Sequence, residues 1–61
     1  MGKRLRRLRV AKDMSQAALA KGAGLTREYV NKLEAGKQDP SLTTISAIAN
    51  ALGVPVTALL A

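Results

Sequence analysis

The chain has 61 residues, a formal net charge of +6 at pH 7, no cysteine and no histidine. This inventory excludes disulfides, thiolate metal sites and the commonest general base, and so short a chain leaves little room for an enclosed substrate pocket. We therefore expect one domain, residues 1–61, without catalytic residues, metal site or cofactor. Because no run of about eighteen apolar residues is present to span a membrane, we also expect a cytoplasmic protein.

Charge is distributed unevenly along the chain. All ten Lys and Arg residues lie between Lys3 and Lys37, whereas residues 40–61 carry no charged side chain. A basic first part attracts a polyanion, and an uncharged last third suits a core, a partner surface, or both.

The first part of the chain predicts two short helices. Leu5 and Leu8 recur at helical spacing in KRLRRLRVAKDM, with cations on the other faces. Ser15 is a good N-cap for a second helix that begins at Gln16, and Gly24 suits the left-handed residue that ends it.

The second part predicts three more helices, which makes the fold all-α. Thr26 caps the third helix, which runs to about Ala35, and Ser41 caps the fourth after the turn GKQDPS. The fourth helix has the clearest apolar periodicity, in Leu42, Ile45, Ile48, Ala49 and Leu52. Gly53 ends it, and a short fifth helix follows Pro55.

The second and third predicted helices meet the requirements of a helix-turn-helix unit, whose second helix can enter the major groove of DNA. Ala20 is the small residue that closely crossing helices need, and Gly24 is a turn residue that tolerates positive φ. The apolar residues placed to hold both helices to the core are Leu19, Ala23, Leu25, Val30 and Leu33. Each of these features alone is weak evidence for a helix-turn-helix unit, but together they indicate one strongly.

Four stretches together resemble the phage-repressor and Cro-like (XRE) helix-turn-helix family: SQAALA, GLT, LEAGKQDPSL and IANALGV. The resemblance extends from about Leu5 to Leu60. It implies a compact five-helix domain that binds double-stranded DNA, usually as a homodimer on a palindromic site, with the helix at about 26–35 in the major groove. The implied function is that of a transcriptional regulator, with a repressor favoured over an activator.

The resemblance implies base-reading positions at Arg27, Glu28 and Lys32, and Asn31 lies on the same side of the helix. Arg27 has the hydrogen-bond donors to bind guanine O6 and N7, and Asn31 could pair with adenine. Glu28 has two alternatives, because a carboxylate is repelled by a polyanion: it accepts from cytosine N4, or it holds Arg27 or Lys32 by a local ion pair.

Several other polar residues are expected at the DNA backbone: Gln16, Tyr29, Lys37, Gln38 and Thr43. Gln16 matches the family's glutamine at the start of the second helix. Tyr29 either aims its hydroxyl at a phosphate or lies at the edge of the core. The remaining cations of the first helix strengthen the electrostatic field: Lys3, Arg4, Arg6 and Arg7.

The resemblance separates one arginine from its basic neighbours. Arg9 and Glu34 match a pair that forms a structural salt bridge between the first and third helices in relatives, so Arg9 is expected to belong to the scaffold.

The uncharged last third is the expected dimer interface, with candidates Leu52, Val54, Val56, Leu59 and Leu60. An alternative is an antitoxin-type protein-interaction module that also binds DNA and commits its apolar end to a toxin partner. A third hypothesis is a cationic amphipathic segment that lies on anionic membranes.

Overall fold

The computed structural model describes residues 1–60, in which five α-helices follow one another along the chain. They are α1 (Gly2–Ala11), α2 (Gln16–Ala23), α3 (Arg27–Glu34), α4 (Leu42–Leu52) and α5 (Thr57–Leu60). No strand occurs within residues 1–60. The prediction of an all-α, five-helix fold is confirmed.

Hydroxyl side chains determine where the three middle helices begin. Ser15, Thr26 and Ser41 each accept a hydrogen bond from the backbone N–H three residues later, at 3.0, 3.1 and 3.2 Å respectively. Each bond satisfies a backbone amide that the start of a helix leaves unpaired, and such a cap typically stabilises a protein by about 1 kcal/mol. The three predicted N-caps are confirmed.

A tight turn sets the direction in which α3 leaves α2. Gly24 adopts the left-handed conformation, with φ 71° and ψ 31°, which glycine enters without a steric penalty. The N–H of Leu25 then donates to the carbonyl of Ala20 at 2.8 Å and closes the end of α2. The half-buried Leu25 side chain packs against the core, so the turn itself is anchored.

Every helix contributes to one buried apolar cluster. Its members are Leu5, Leu19, Ala20, Val30, Leu33, Ile45, Ile48, Ala49, Leu52 and Leu59. Val30 and Leu33, on the inner side of α3, are 0% and 1% exposed. Leu42, which shares the apolar periodicity of α4, lies outside this cluster and is 70% exposed, because it occupies the first position of that helix.

The structure corrects two members of the expected dimer interface. Leu52 and Leu59 are only 3% and 2% exposed within a single chain, because the short α5 packs against α4 and both side chains enter the core. Val54 and Val56 are half-buried, and Leu60 is exposed. Only the last three candidates therefore remain available at the surface of the monomer.

The start of α1 lies against the end of α3, a contact that sequence analysis did not anticipate. A Cβ atom added to Gly2 would lie 2.6 Å from the carbonyl oxygens of both Leu33 and Glu34. The N-terminus of α1, with its partial positive charge, therefore faces carbonyls at the negative end of α3. The absence of a side chain at Gly2 permits this close approach.

Replacing Gly2 by alanine is expected to lower the free energy of unfolding by about 1–3 kcal/mol, because the new methyl group forces α1 and α3 apart. In a domain of this size each kcal/mol lowers the unfolding temperature by roughly 4–8 °C. Thermal unfolding followed by circular dichroism measures the change. Lys3→Ala, which truncates an exposed side chain in the same turn, should leave the midpoint close to that of the wild type. Equal midpoints for the two variants would contradict the close approach.

Candidate nucleic-acid interface

The outer side of α3 presents polar side chains above two buried apolar ones. Arg27, Glu28, Asn31 and Lys32 are all exposed, whereas Val30 and Leu33 on the opposite side are buried. Residues three and four positions apart share a helix face, so the four polar side chains form one continuous patch. The core therefore holds α3 from beneath and leaves this patch open.

An ion pair ties α3 to α1. The Nε and Nη2 atoms of Arg9 donate to the two carboxylate oxygens of Glu34, at 2.7 and 3.2 Å. Arg9 Nη1 also donates to the carbonyl of Met14 at 2.7 Å, so the same guanidinium fixes the turn that leads into α2. Both partners are nearly buried, with side-chain exposures of 12% for Arg9 and 5% for Glu34. The hydrogen bond to Glu34 raises the pKa of Arg9 against the opposing effect of burial.

Gln16 lies beside this ion pair, at the first position of α2. Its side-chain nitrogen donates to Glu34 Oε1 at 3.2 Å and to Asn31 Oδ1 at 3.4 Å. The family resemblance implies that Gln16 contacts the DNA backbone. In the structure its side-chain nitrogen is directed at α3, and the residue is half-buried.

The remaining predicted backbone contacts lie on different elements. Tyr29 is half-buried on α3 and packs against the core. Lys37 and Gln38 are exposed in the loop between α3 and α4, and Thr43 is exposed in the first turn of α4.

Arg6 contributes to the site more directly than sequence analysis expected. It lines a cleft of about 250 Å³ together with Arg9, Gln16, Asn31 and Glu34. Arg6 precedes Arg9 by three positions, a spacing that places both on one face of α1 and could have indicated this location. The cationic face of α1 and the polar patch of α3 thus meet at this cleft.

Electrostatically, the surface is dominated by unpaired cations. Within residues 1–60 the one salt bridge is Arg9–Glu34, and the other nine Lys and Arg side chains are exposed. The same part of the chain contains no group of three His, Cys, Asp or Glu residues placed to hold a metal ion. None of the helices described is both long enough and apolar enough to cross a membrane.

Residues 5–59 match the helix-turn-helix family, in which α2, the Gly24 turn and α3 form the characteristic unit. The chain belongs to this family. The match covers nearly the whole chain and confirms the resemblance to phage-repressor (XRE) proteins.

Relatives of known sequence and structure agree with this assignment. The chain is 37% identical over 59 residues to the immunity repressor protein of Bacillus phage phi105, a match covering 97% of the chain and 41% of that repressor. It is 41% identical over 59 residues to YonR, an SPbeta prophage-derived uncharacterized HTH-type transcriptional regulator of Bacillus subtilis, covering 97% of the chain and 55% of YonR. The chain therefore spans about half the length of these two relatives.

A solved structure extends the agreement to three dimensions. The restriction-modification controller protein C.AhdI from Aeromonas hydrophila superposes with a TM-score of 0.94 at 45% identity, covering 95% of this chain and 88% of C.AhdI. Helix-turn-helix proteins of this type are a DNA-binding class of transcriptional regulators and not a class of enzymes. The descriptions of these relatives give no support to the antitoxin alternative.

Glu34→Gln is expected to lower the free energy of unfolding by about 1–3 kcal/mol, because it removes the charged acceptor of a nearly buried guanidinium. Urea denaturation measures the loss. Glu28→Gln is the matched control, since it neutralises an exposed acid on the same helix and should cost less than about 1 kcal/mol. If the two variants unfold at the same urea concentration, the ion pair does not support the fold as described.

Proposed function

We propose that this chain is a sequence-specific, duplex-DNA-binding transcriptional regulator, and specifically a repressor, that places α3 in the major groove. The observation that carries the proposal is the exposed patch of Arg27, Glu28, Asn31 and Lys32 above the buried Val30 and Leu33. An α-helix fits the major groove, where each base pair presents a distinct pattern of donors and acceptors. An anchored helix with exposed polar tips is suited to read that pattern.

Within this proposal each residue of the patch has a distinct chemistry. Arg27 and Lys32 supply donors for guanine O6 and N7, and Lys32 can instead bind a phosphate. Asn31 supplies an amide for a base edge. Glu28 forms no salt bridge in the part of the chain described, which favours acceptance from cytosine N4 over a local ion pair.

Contacts to the DNA backbone would set the position of the domain without reading sequence. Lys37, Gln38 and Thr43 are exposed near the end of α3 and the start of α4, where phosphates on one side of the groove would lie. Arg6 and the other exposed cations of α1 would contact phosphates on the other side of the groove. For Gln16 we assign the phosphate contact to its backbone N–H in the first turn of α2, because its side-chain nitrogen is directed at α3.

We further propose that the chain binds a palindromic site as a homodimer. One chain offers one reading helix, and a two-fold symmetric site requires a second. A shallow uncharged groove of about 440 Å³ runs along α4 and the segment after it, and its lining includes Ser46, Asn50, Val54 and Val56. The exposed Leu60 follows on α5, so this end of the molecule suits a second copy.

Selection of bound sequences from a random duplex pool tests DNA binding directly and should return a palindrome. On the selected site Arg27→Ala should lose preference at one base pair, worth about 1–3 kcal/mol of discrimination. Lys37→Ala, the matched control, should weaken binding to all sequences alike and reduce the dependence of affinity on salt. A uniform loss for both variants would refute the division between base-reading and backbone residues, and no enrichment from the pool would refute the function.

Leu60→Glu is expected to shift the chain toward monomer, because it places a charge on the proposed apolar interface. Sedimentation measures the distribution of monomer and dimer with and without the selected duplex. Val10→Glu is the control, since Val10 on α1 has the same 56% exposure as Leu60 and lies outside the proposed interface. A wild-type chain that stays monomeric at high concentration in both conditions would rule out the homodimer.

A further inference from the structure

A network of hydrogen-bonded polar side chains extends from α1 to the exposed patch of α3. Arg9 donates to both carboxylate oxygens of Glu34, Gln16 donates to Glu34 Oε1, and the same Gln16 nitrogen donates to Asn31 Oδ1. Only the last member, Asn31, belongs to the patch proposed to read bases. Its side chain is therefore connected to the scaffold by a route that the other residues of the patch lack.

The hydrogen-bonding partners of Gln16 determine the orientation of its side-chain amide. An ionised carboxylate accepts hydrogen bonds and donates none, so the group of Gln16 that faces Glu34 is its NH₂. Glu34 is itself held by two bonds from Arg9. The second hydrogen of the Gln16 nitrogen is then the one available to Asn31.

We propose that Gln16 is a positioning residue that sets the base selectivity of Asn31, an inference that rests on the proposed DNA-binding function. Because the Asn31 oxygen faces Gln16, the Asn31 NH₂ occupies the other side of the planar amide. The exposed Asn31 therefore presents a donor to the groove. It selects a base edge with an acceptor, such as purine N7, guanine O6 or thymine O4, and discriminates against cytosine N4, which is itself a donor.

The alternative is an Asn31 amide that turns freely. Such an amide accepts as readily as it donates, and it would bind cytosine N4 with its oxygen. Selectivity at this base pair would then be lost although Asn31 is still present. The fixed and free amides therefore differ in which sequences bind, and not only in how tightly.

The test compares four proteins on four duplexes. The proteins are the wild type, Gln16→Met, Asn31→Ala and the double variant. The duplexes differ at the base pair where Asn31→Ala alters preference. Gln16→Met keeps the length of the side chain but cannot donate. We expect it to reduce discrimination against cytosine about fivefold at this pair alone, the equivalent of one hydrogen bond. In the Asn31→Ala background it should cause no further loss of preference.

Gln16→Lys provides a rescue control. An ammonium group can donate to both Glu34 and Asn31, so this variant should retain the preference at that pair while binding all duplexes more tightly. A purely backbone-binding role for Gln16 predicts a different result, in which Gln16→Met weakens all four duplexes equally. That uniform loss would overturn the proposal, as would a persistent effect of Gln16→Met when Asn31 is absent.

A measurement without DNA separates this inference from the function on which it rests. NMR of the free protein reports whether the Asn31 side-chain NH₂ is restricted. We expect restricted motion in the wild type and in Gln16→Lys, and averaging between orientations in Gln16→Met. An Asn31 amide that is equally mobile in all three proteins refutes the positioning role. A restricted amide in a wild type that binds no duplex refutes the proposed function instead.

Discussion

The orientation of α3 depends on the burial of Val30 and Leu33. These two side chains enter a core to which every other helix contributes, so α3 cannot rotate about its axis without exposing them. The polar patch on its outer side therefore has a fixed direction. In a chain of 61 residues the core is small. Local interactions, such as the Ser15 and Thr26 caps and the Gly24 turn, therefore also help to hold α3 in its orientation.

The distribution of charge follows from this arrangement. Nine cations remain exposed and unpaired, and their mutual repulsion opposes folding. Arg9 differs because the fold uses it internally, where its hydrogen bonds join α1, the turn before α2 and α3. The domain thus carries a positive field on its surface while one cation stabilises its interior. A phosphate backbone would relieve the repulsion among the others, so DNA binding and stability of the folded chain should reinforce each other.

Features of the chain that depend on near neighbours in sequence could be predicted, and those that depend on tertiary packing could not. The caps at Ser15, Thr26 and Ser41 lie within one helical turn of the groups they satisfy. The approach of Gly2 to the carbonyls of Leu33 and Glu34 joins residues that are far apart in sequence, and no local pattern indicates it. Leu59 was predicted to lie in a dimer interface at the surface. The prediction was ambiguous because an apolar stretch of this kind can be buried either in the core or against a partner.

The Gln16 side chain shows why residue roles transfer less readily than folds. Its position matches the family pattern, but what its amide does depends on Glu34 and Asn31, which lie on a different helix. A relative with other residues in place of both Glu34 and Asn31 would leave the same glutamine free to turn toward a phosphate. If Gln16 positions Asn31 as proposed, the selectivity of α3 is a property of the helix together with the side chains that support it, so substitution of α3 residues alone should not transfer it completely between family members.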